Sequence, residues 1–440
     1  MRNIFDQYSQ PENRLTHALV VALAEDRWLL NRFVRWVTGV SALRGSSLEI
    51  VEQGLPGDAP IAEEDSERRG LPDAWIYQGD RWALLIESKV AATLRNEQLL
   101  RHHRTASRRG FRQITLLVID VASPARPLPE GSVFREWSDV YAWLIKQSGK
   151  SEWAQRAAEY FVAAENRLVG EGYLKEGTLT TFAGIPFRAG EPYNYPEAKR
   201  LLKLAMDELR KRKDLVKILG MDPVLPGRGS ITGKDGVAVW DFLRLRISRH
   251  SEVFTKYPHL TIAIQGERVL AIVTVPHGIQ SQLRRNLIEL GFDGFQEVLS
   301  DVNKKLLRAL RKAKGAAPWV DVVQRRYATQ RSAAFVDARI EFDLRTAFPE
   351  SKKGSKVKPQ PEWLKASYDA LCKKKSNLQF AVGASFPYQA CPSTNTRKII
   401  DHVSDVWVAC KPLIDAMLGK QNPHTEKVDT STQRRYPIME

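Results

Sequence analysis

The stretch LPDAWIYQGDRWALLIESKV, residues Leu71 to Val90, decides the fold of the first part of this 440-residue chain. Two runs of strand-forming apolar residues flank the turn residues Gly79 and Asp80, so the sequence predicts a β-hairpin. An ionised group in a sheet core is costly unless it has a partner. This hairpin nevertheless carries three charged residues beside its apolar ones: Asp73, Glu87 and Lys89.

The spacing of these charges within the hairpin determines whether they meet. Side chains alternate across a strand, so Glu87 and Lys89 project from one face and Ser88 from the other. A two-residue turn would pair Asp73 with Ile86, whereas a three-residue turn or a bulge would pair Asp73 with Glu87. We expect the longer turn.

Two converging carboxylates repel each other unless a cation lies between them. Oxygen ligands of this kind suit Mg²⁺, which proteins commonly hold with one or two carboxylates together with substrate phosphates. Lys89 would then stand where it can act on a water molecule or a phosphate oxygen. The structural alternative is that Glu87 and Lys89 form a partly exposed ion pair that adds little stability.

The segments around the hairpin alternate between helical and strand patterns. Apolar residues at helical spacing predict one long helix from Glu12 to about Val37, and a strand composition follows near residues 48–53. After the hairpin we predict a helix at about 94–108, an apolar strand at 113–120, and helices at about 137–145 and 152–168. This order predicts an α/β domain with a mixed sheet covered on both faces.

The motif Pro72-Asp73, a hairpin-length spacer and Glu87-Ser88-Lys89 resembles the PD-(D/E)XK nuclease superfamily. The order helix, three strands, helix, strand is similar to that family's restriction-endonuclease-like αβββαβ core, and the resemblance covers about residues 8–150. It implies that Asp73 and Glu87 bind Mg²⁺, with Mn²⁺ as a substitute. It also implies that the Ser88 carbonyl joins them and that Lys89 orients or activates the attacking water.

The resemblance extends to two residues on the neighbouring helices. The family often places a further carboxylate on its first helix, and Glu12 shares a helical stripe with Leu15 and Leu19, which implies a catalytic and metal-binding role. Gln98 resembles a glutamine that some branches carry on the helix after the motif, which implies a catalytic role. His102 lies one turn beyond Gln98 on the same face.

The rest of the chain predicts a second, basic α+β domain with an antiparallel sheet. We expect a nuclease domain over residues 1–170, a linker over 171–195 rich in Gly, Pro and aromatic residues, the basic domain over 196–420, and a flexible tail over 421–440. The second domain contains a basic helix at 196–219, a strand at 239–248, a hairpin at 259–275 and a helix near 396–418.

Positive charge is unevenly distributed along the chain. Residues 1–170 hold 22 basic and 22 acidic residues, which leaves 45 and 29 of the totals of 67 and 51 for the remainder. Such asymmetry is typical of a polyanion-binding domain, although scattered solubilising lysines are the alternative. Arginines that could contact nucleic acid lie on the helix after the motif and on strands of the second domain: Arg101, Arg104, Arg108, Arg244, Arg246 and Arg325.

We expect Arg244 and Arg246 to share one strand face, and Arg325 to share another with Tyr327 and Arg331. An ordinary solvated sheet face or a dimer contact is the alternative there. Several other classes of site are disfavoured by spacing. His102 and His103 lack a third zinc ligand nearby, the GKDG around Lys234 is not an ATP-binding loop, and the acidic run at residues 63–67 is typical of a solvated loop.

The sequence contains no apolar run of about 18 residues and begins with charged residues, so we expect a cytoplasmic protein without a membrane partner. The resemblance implies a Mg²⁺-dependent nuclease, an endodeoxyribonuclease acting on DNA in restriction or antiphage defence, with a homodimer or regulatory partner as further expectations. The rival hypothesis is a nucleic-acid-binding or sensor protein whose nuclease core has lost its activity.

Overall fold

The computed structural model describes most of the chain outside its C-terminal tail. The described residues are 4–5, 8, 10–39, 48–56, 71–188, 190, 192–228, 237–249, 253, 256–277, 279, 281–329, 332, 334–348, 358–373 and 377–419. The acidic run at 63–67, Lys234, Arg331 and the tail at 421–440 lie outside them. Contacts divide the chain into two compact units, residues 1–183 and 184–440, and the predicted linker spans this division.

Unit 1 is an α/β unit built on one five-stranded sheet. Its elements in chain order are α1 (Pro11–Glu25), α2 (Arg27–Thr38), β1 (Glu49–Glu52), β2 (Ala74–Gln78), β3 (Trp82–Ser88), α3 (Asn96–Arg108), β4 (Gln113–Asp120), β5 (Ser132–Glu136), α4 (Trp137–Gln147) and α5 (Glu152–Gly170). The strands lie in the order β1-β2-β3-β4-β5. The first three are antiparallel and the last three parallel, so the predicted mixed sheet is confirmed.

The hairpin of β2 and β3 has a three-residue turn. Gln78 pairs with Trp82 and Ala74 with Ile86, which leaves residues 79–81 to form the turn. Gly79 adopts a left-handed conformation with φ 55°, which a glycine reaches without strain. This register, extended by one residue, places Asp73 opposite Glu87, as expected for the longer turn.

Both faces of the sheet are covered by apolar side chains. Ile76, Ile86 and Ile119 belong to a large core that includes residues of α1, α2, α4 and α5. Trp75, Leu85 and their neighbours point the other way, into a smaller core with residues of α3. This division follows from strand alternation, and it orients the side chain of Glu87 toward α3.

Two details of unit 1 differ from the sequence prediction. The single long helix after Pro11 is wrong, because the helix breaks at Asp26, whose carboxylate caps α2 by accepting the Leu29 N–H at 3.0 Å. The same carboxylate also accepts a hydrogen bond from Ser151 Oγ at 2.5 Å. The strand β5 was not predicted, because its residues are all half-buried and show no alternation.

Unit 2 is built on a six-stranded, fully antiparallel sheet, which confirms the predicted sheet type. Its elements are α6 (Tyr195–Arg210), β6 (Ala238–Arg244), β7 (His259–Gln265), β8 (Arg268–Val275), α7 (Ser281–Glu289), α8 (Gly291–Ala309), β9 (Ala317–Tyr327), β10 (Ala334–Asp343), α9 (Glu362–Lys373), β11 (Leu378–Pro387), α10 (Lys398–Ala409) and α11 (Lys411–Met417). The strand order is β10-β9-β11-β8-β7-β6.

Two helices of unit 2 are shorter than predicted. The basic helix ends at Arg210, and a separate π-helical turn covers Leu215–Leu219. The last predicted helix is split at Cys410, because Pro412 cannot continue the backbone hydrogen bonds of α10. Over the described residues, no helix is both long and apolar enough to cross a membrane.

Candidate active site

The charged residues of the hairpin meet at the carboxyl end of β3. Asp73, immediately before β2, accepts two hydrogen bonds on Oδ2, from the backbone N–H of Ser88 at 2.7 Å and from Ser88 Oγ at 2.9 Å. The backbone carbonyl of Asp73 accepts the Gln53 N–H at 2.9 Å, which ties the residue to the adjoining strand β1. Asp73 is therefore fixed across from the end of β3.

Glu87 is the centre of a buried polar network. Its Oε1 accepts hydrogen bonds from Lys89 Nζ at 2.5 Å and Gln98 Nε2 at 2.7 Å, and its Oε2 lies 2.9 Å from His102 Nε2. The ion pair between Glu87 and Lys89 that the structural alternative expected is therefore present, but it is buried, since Glu87 is 0% exposed and Lys89 9% exposed. A buried charge of this kind needs all of its partners, because removing one leaves the other uncompensated.

The helix α3 supplies two of these partners through its spacing. Gln98 and His102 lie one turn apart on the face that also buries Leu99 and Ala106 against the sheet. Asn96 begins the helix only eight residues after β3 ends, so its first two turns pass over the end of that strand. The predicted position of Gln98 beside the motif is therefore observed, and His102 joins it.

Burial and charge set the protonation of the three motif residues. Burial, reinforced by the charge of Glu87, raises the pKa of Asp73 to about 8. Burial alone would raise the pKa of Glu87, but the hydrogen bond from His102 and the charge of Lys89 outweigh it and lower that pKa. Burial would lower the pKa of Lys89, but the charges of Glu87 and Asp73 prevail and raise it. Lys89 is therefore a cation at neutral pH.

Glu12 approaches this cluster from α1, where it occupies the first turn. It is 8% exposed, and its Oε2 is buried without a hydrogen-bond partner. Its charge contributes to the raised pKa of Lys89, which places the two groups near each other. One turn further along α1, Thr16 Oγ1 lies 2.6 Å from Ser88 Oγ, so α1 is hydrogen-bonded to the end of β3.

Asp120, at the end of β4, is a member of the site that sequence reasoning missed. Burial raises its pKa, the charge of Glu12 adds to the rise, and the charge of Lys89 opposes it. It also lines a cleft of about 600 Å³ formed by residues 92–97 and 122–126. The sequence feature that could have identified Asp120 is its position at the carboxyl end of β4. Because β4 pairs with β3 in parallel, the carboxyl ends of both strands lie at the same edge of the sheet.

The donor set suits a hard divalent cation, although the described residues do not form a ready-made site. No group of three or more His, Cys, Asp and Glu side chains within them is arranged to hold a metal ion. Glu87 Oε1 already accepts hydrogen bonds from Lys89 and Gln98, and Asp73 Oδ2 accepts one from the Ser88 N–H. The unpartnered Oε2 of Glu12 is the buried oxygen that a cation would satisfy.

The arginines predicted to contact nucleic acid fall into two groups. Arg101, Arg104 and Arg108 are exposed along the outer side of α3, on the helix that contacts Glu87. Arg244 and Arg246 do not share a strand face, because β6 ends at Arg244 and Arg246 begins a 3-10 turn.

Arg244 is itself not available to a ligand. It is 8% exposed, and its guanidinium donates to Ser248 Oγ at 3.1 Å and to the Ser248 carbonyl at 2.6 Å. Arg325 is half-buried in β9, where it donates to Gln379 Oε1 at 3.1 Å. Burial lowers the pKa of Arg325, and Tyr327, two residues further along the strand, is exposed.

No protein-family model matches this sequence, and no curated protein sequence matches it. The resemblance to the PD-(D/E)XK superfamily therefore rests on the motif residues themselves, their order along the chain and the expectations drawn from them.

Proposed function

We propose that this protein is a metal-dependent nuclease of the PD-(D/E)XK type that hydrolyses phosphodiester bonds of DNA. The observation that carries the proposal is the register of the hairpin, which brings Asp73 opposite Glu87 with Lys89 Nζ 2.5 Å from the Glu87 carboxylate. Two carboxyl groups and an ammonium group buried at the end of a sheet destabilise the folded protein. Buried ionisable groups with perturbed pKa values cluster at functional sites. The role in restriction or antiphage defence follows from the resemblance alone.

The residues that would hold Mg²⁺ or Mn²⁺ are the carboxylates of Asp73, Glu87 and Glu12 and the backbone carbonyl of Ser88. When bound, the metal would supply Lewis-acid stabilisation of the negative charge that develops on the phosphate. Asp73 must lose its proton to act as a ligand, and Glu87 is already ionised because its pKa is lowered. Glu12 offers a buried oxygen that lacks a hydrogen-bond partner.

Lys89 acts as a hydrogen-bond donor in this proposal. Its raised pKa keeps the amine protonated at neutral pH, so it is suited to orienting a water molecule or to contacting a phosphate oxygen, and it is not suited to taking up a proton. To do so, Nζ must turn from Glu87 Oε1 toward the substrate. If Asp73 and Glu87 held the metal, its charge would compensate that of Glu87, and Lys89 Nζ would be available for this contact.

Gln98 and His102 are positioning residues. Each donates to a different oxygen of Glu87, so together they fix the rotation of its carboxylate plane. Groups that orient a metal ligand typically change metal affinity or activity 10-fold to 100-fold when they are removed. Three exposed arginines of α3 would contact the phosphates of the substrate next to this site: Arg101, Arg104 and Arg108.

The proposal is tested by incubating supercoiled plasmid with the protein and Mg²⁺ or Mn²⁺, and by comparing the parent with Asp73→Asn and Lys89→Ala. We expect the parent to cut DNA and both variants to lose at least 100-fold in rate, since each removes a different part of the machinery. Loss in both variants also excludes a contaminating nuclease. Cleavage that survives both substitutions would refute the assigned site.

The rival hypothesis, a nucleic-acid-binding protein with an inactive core, is favoured by one observation. Both carboxylate oxygens of Glu87 already have protein partners: Lys89 and Gln98 donate to Oε1, and His102 lies at Oε2. A parent protein that shifts DNA on a gel but leaves it intact with every divalent metal and nucleic-acid substrate tried would establish this rival.

A further inference from the structure

A second cavity in unit 1 lies between α2 and α4. Its volume is about 390 Å³, and it is lined by Arg32, Arg35, Trp36, Asp139, Ala142, Trp143, Lys146 and Gln147. We call it the α2–α4 pocket. None of its lining residues belongs to the candidate active site.

The floor of the α2–α4 pocket is aromatic. The rings of Trp36 and Trp143 stack with centroids 5.5 Å apart and an interplanar angle of 23°. Phe33 packs edge-on against Trp143, and the guanidinium of Arg135 lies 5.0 Å from the centre of the Trp36 ring. Trp143 is 5% exposed and Trp36 is half-buried, so Trp36 is the more accessible of the two rings.

The rim of the pocket is cationic. Arg32, Arg35 and Lys146 are exposed, and none of the three has an ion-pair partner among the residues that the structure describes. The guanidinium of Arg32 lies over the ring of Trp28, 5.6 Å from its centre. The single lining carboxylate, Asp139, accepts the Glu136 N–H at 3.1 Å as part of the helix cap of α4. The cavity is therefore lined by three cationic side chains and by one carboxylate, that of Asp139, which is already hydrogen-bonded.

This combination of an aromatic floor and a cationic rim selects the chemistry of the ligand. Unpaired cations attract phosphate, and indole rings pack against bases or sugars with little dependence on sequence. A cavity of this volume is large enough for one nucleotide unit. A purely apolar ligand would leave the three cations unused, and a free metal ion would be repelled by them.

The pocket is connected to the candidate active site by α4. Trp137, the first residue of that helix, donates its indole N–H to the backbone carbonyl of Lys89 at 3.1 Å. Trp143 and Lys146 lie six and nine residues further along, which is roughly 9 to 14 Å at the rise of an α-helix. At the roughly 3.4 Å rise per nucleotide of a duplex strand that distance corresponds to about three to four nucleotides, and an extended unpaired strand covers it in fewer.

We propose that the α2–α4 pocket binds a nucleotide unit of an unpaired strand of the substrate, a few nucleotides from the scissile phosphate. This inference rests on the proposed nuclease function for its choice of ligand. It names the substrate class more closely, as DNA that carries a single-stranded segment beside the cleavage position. The pocket then contributes to substrate binding and leaves the chemical step to the residues around Glu87.

The test measures binding separately from cleavage. A fluorescently labelled oligonucleotide with a single-stranded overhang, and a blunt duplex of the same length, are titrated with full-length protein in EDTA over a range of salt concentrations. The variants are Lys146→Gln and the double variant Arg32→Gln/Arg35→Gln, and the control is Lys150→Gln, an exposed lysine outside the pocket. Circular dichroism melting verifies that each variant folds.

We expect the overhang substrate to bind the parent more tightly than the blunt duplex. Lys146→Gln should weaken overhang binding several-fold and the double variant roughly tenfold, with a decrease of about 0.7 in the salt slope for each cation lost. The control should bind as the parent does. In a cleavage assay the pocket variants should raise KM and leave kcat unchanged.

Two results would overturn the inference. One is unchanged overhang binding in both pocket variants while the parent still cuts DNA, which leaves the nuclease proposal intact. The other is pocket-dependent binding of a free mononucleotide such as AMP, titrated directly, with no effect of the variants on the oligonucleotide. Conversely, pocket-dependent overhang binding by a protein that never cuts DNA would retain the pocket and remove the nuclease function.

Discussion

Lys89 Nζ lies 2.5 Å from Glu87 Oε1, and both side chains are buried at the end of β3. Only Ser88, the last residue of β3, separates them, and strand alternation continued by one position places both side chains on the same face. Removing one partner of a buried pair leaves an uncompensated charge, which costs far more than the pair itself contributes. The relationship therefore has consequences for both stability and chemistry.

The first prediction concerns the energetic coupling of this pair. Lys89→Met should lower the free energy of unfolding by about 3 kcal/mol, because Glu87 then loses its cation inside the protein. Glu87→Gln in the Lys89→Met background should restore part of that loss, since no charge remains to be compensated. Urea unfolding of the parent, both single variants and the double variant closes the cycle. Additive effects of the two substitutions would show that the pair is not coupled.

The second prediction concerns His102 as a positioning residue. His102→Ala should reduce kcat roughly 10-fold to 100-fold and raise the Mg²⁺ concentration for half-maximal activity by a similar factor, because Glu87 loses the donor on Oε2. His103→Ala is the matched control, since His103 is exposed on the same helix. A Mg²⁺ requirement that His102→Ala leaves unchanged would reduce His102 to a packing role.

The third prediction concerns the turn that sets the register. Gly79 has φ 55° and open space around the position of a Cβ atom, so any cost of substitution comes from backbone strain. Gly79→Ala should lower stability by about 1 kcal/mol, and Gly79→Asn by less, because asparagine tolerates the left-handed region better. Thermal unfolding of the two variants decides this. Equal stability of Gly79→Ala and the parent would mean that the turn does not need this conformation.

The fourth prediction concerns the pH dependence of stability in unit 2. Burial lowers the pKa of His259 to about 4, from an ordinary value of 6.5. Below pH 6.5, His259 becomes protonated in the unfolded chain but stays neutral in the folded protein. The free energy of unfolding therefore falls as the pH falls toward 4. The loss amounts to about 3 kcal/mol. His259→Gln should lack this slope in urea unfolding between pH 7 and pH 4, and a slope equal to that of the parent would count against the assignment.

The sequence predicted the parts of unit 1 that depend on local patterns. The hairpin follows from the alternation of a few consecutive residues, whereas the sequence left two turn lengths open, and the observed three-residue turn is the one we expected. The break at Asp26 could not be predicted in the same way. The break depends on the Asp26 carboxylate, which caps α2 and also accepts a hydrogen bond from Ser151, 125 positions away in the sequence.

The members of the site that come from other elements were harder to find. Gln98 was placed by resemblance, whereas the role of His102 depends on how α3 packs over β3. Asp120 ends a strand like many others, and only the parallel pairing of β3 and β4 brings it beside Lys89. The burial of Arg244 also depends on the path of the chain. β6 ends at Arg244, and the turn that follows brings Ser248 to its guanidinium as a hydrogen-bond partner.

The most direct test of the central claim is a crystal structure of the parent protein soaked in Mn²⁺, with the anomalous signal recorded. We predict one peak between the carboxylates of Asp73 and Glu87, with oxygen ligands at about 2.2 Å and Lys89 Nζ turned away from Glu87 Oε1. Crystals that bind Mn²⁺ elsewhere but show no peak there, with Lys89 still bonded to Glu87, would contradict the account.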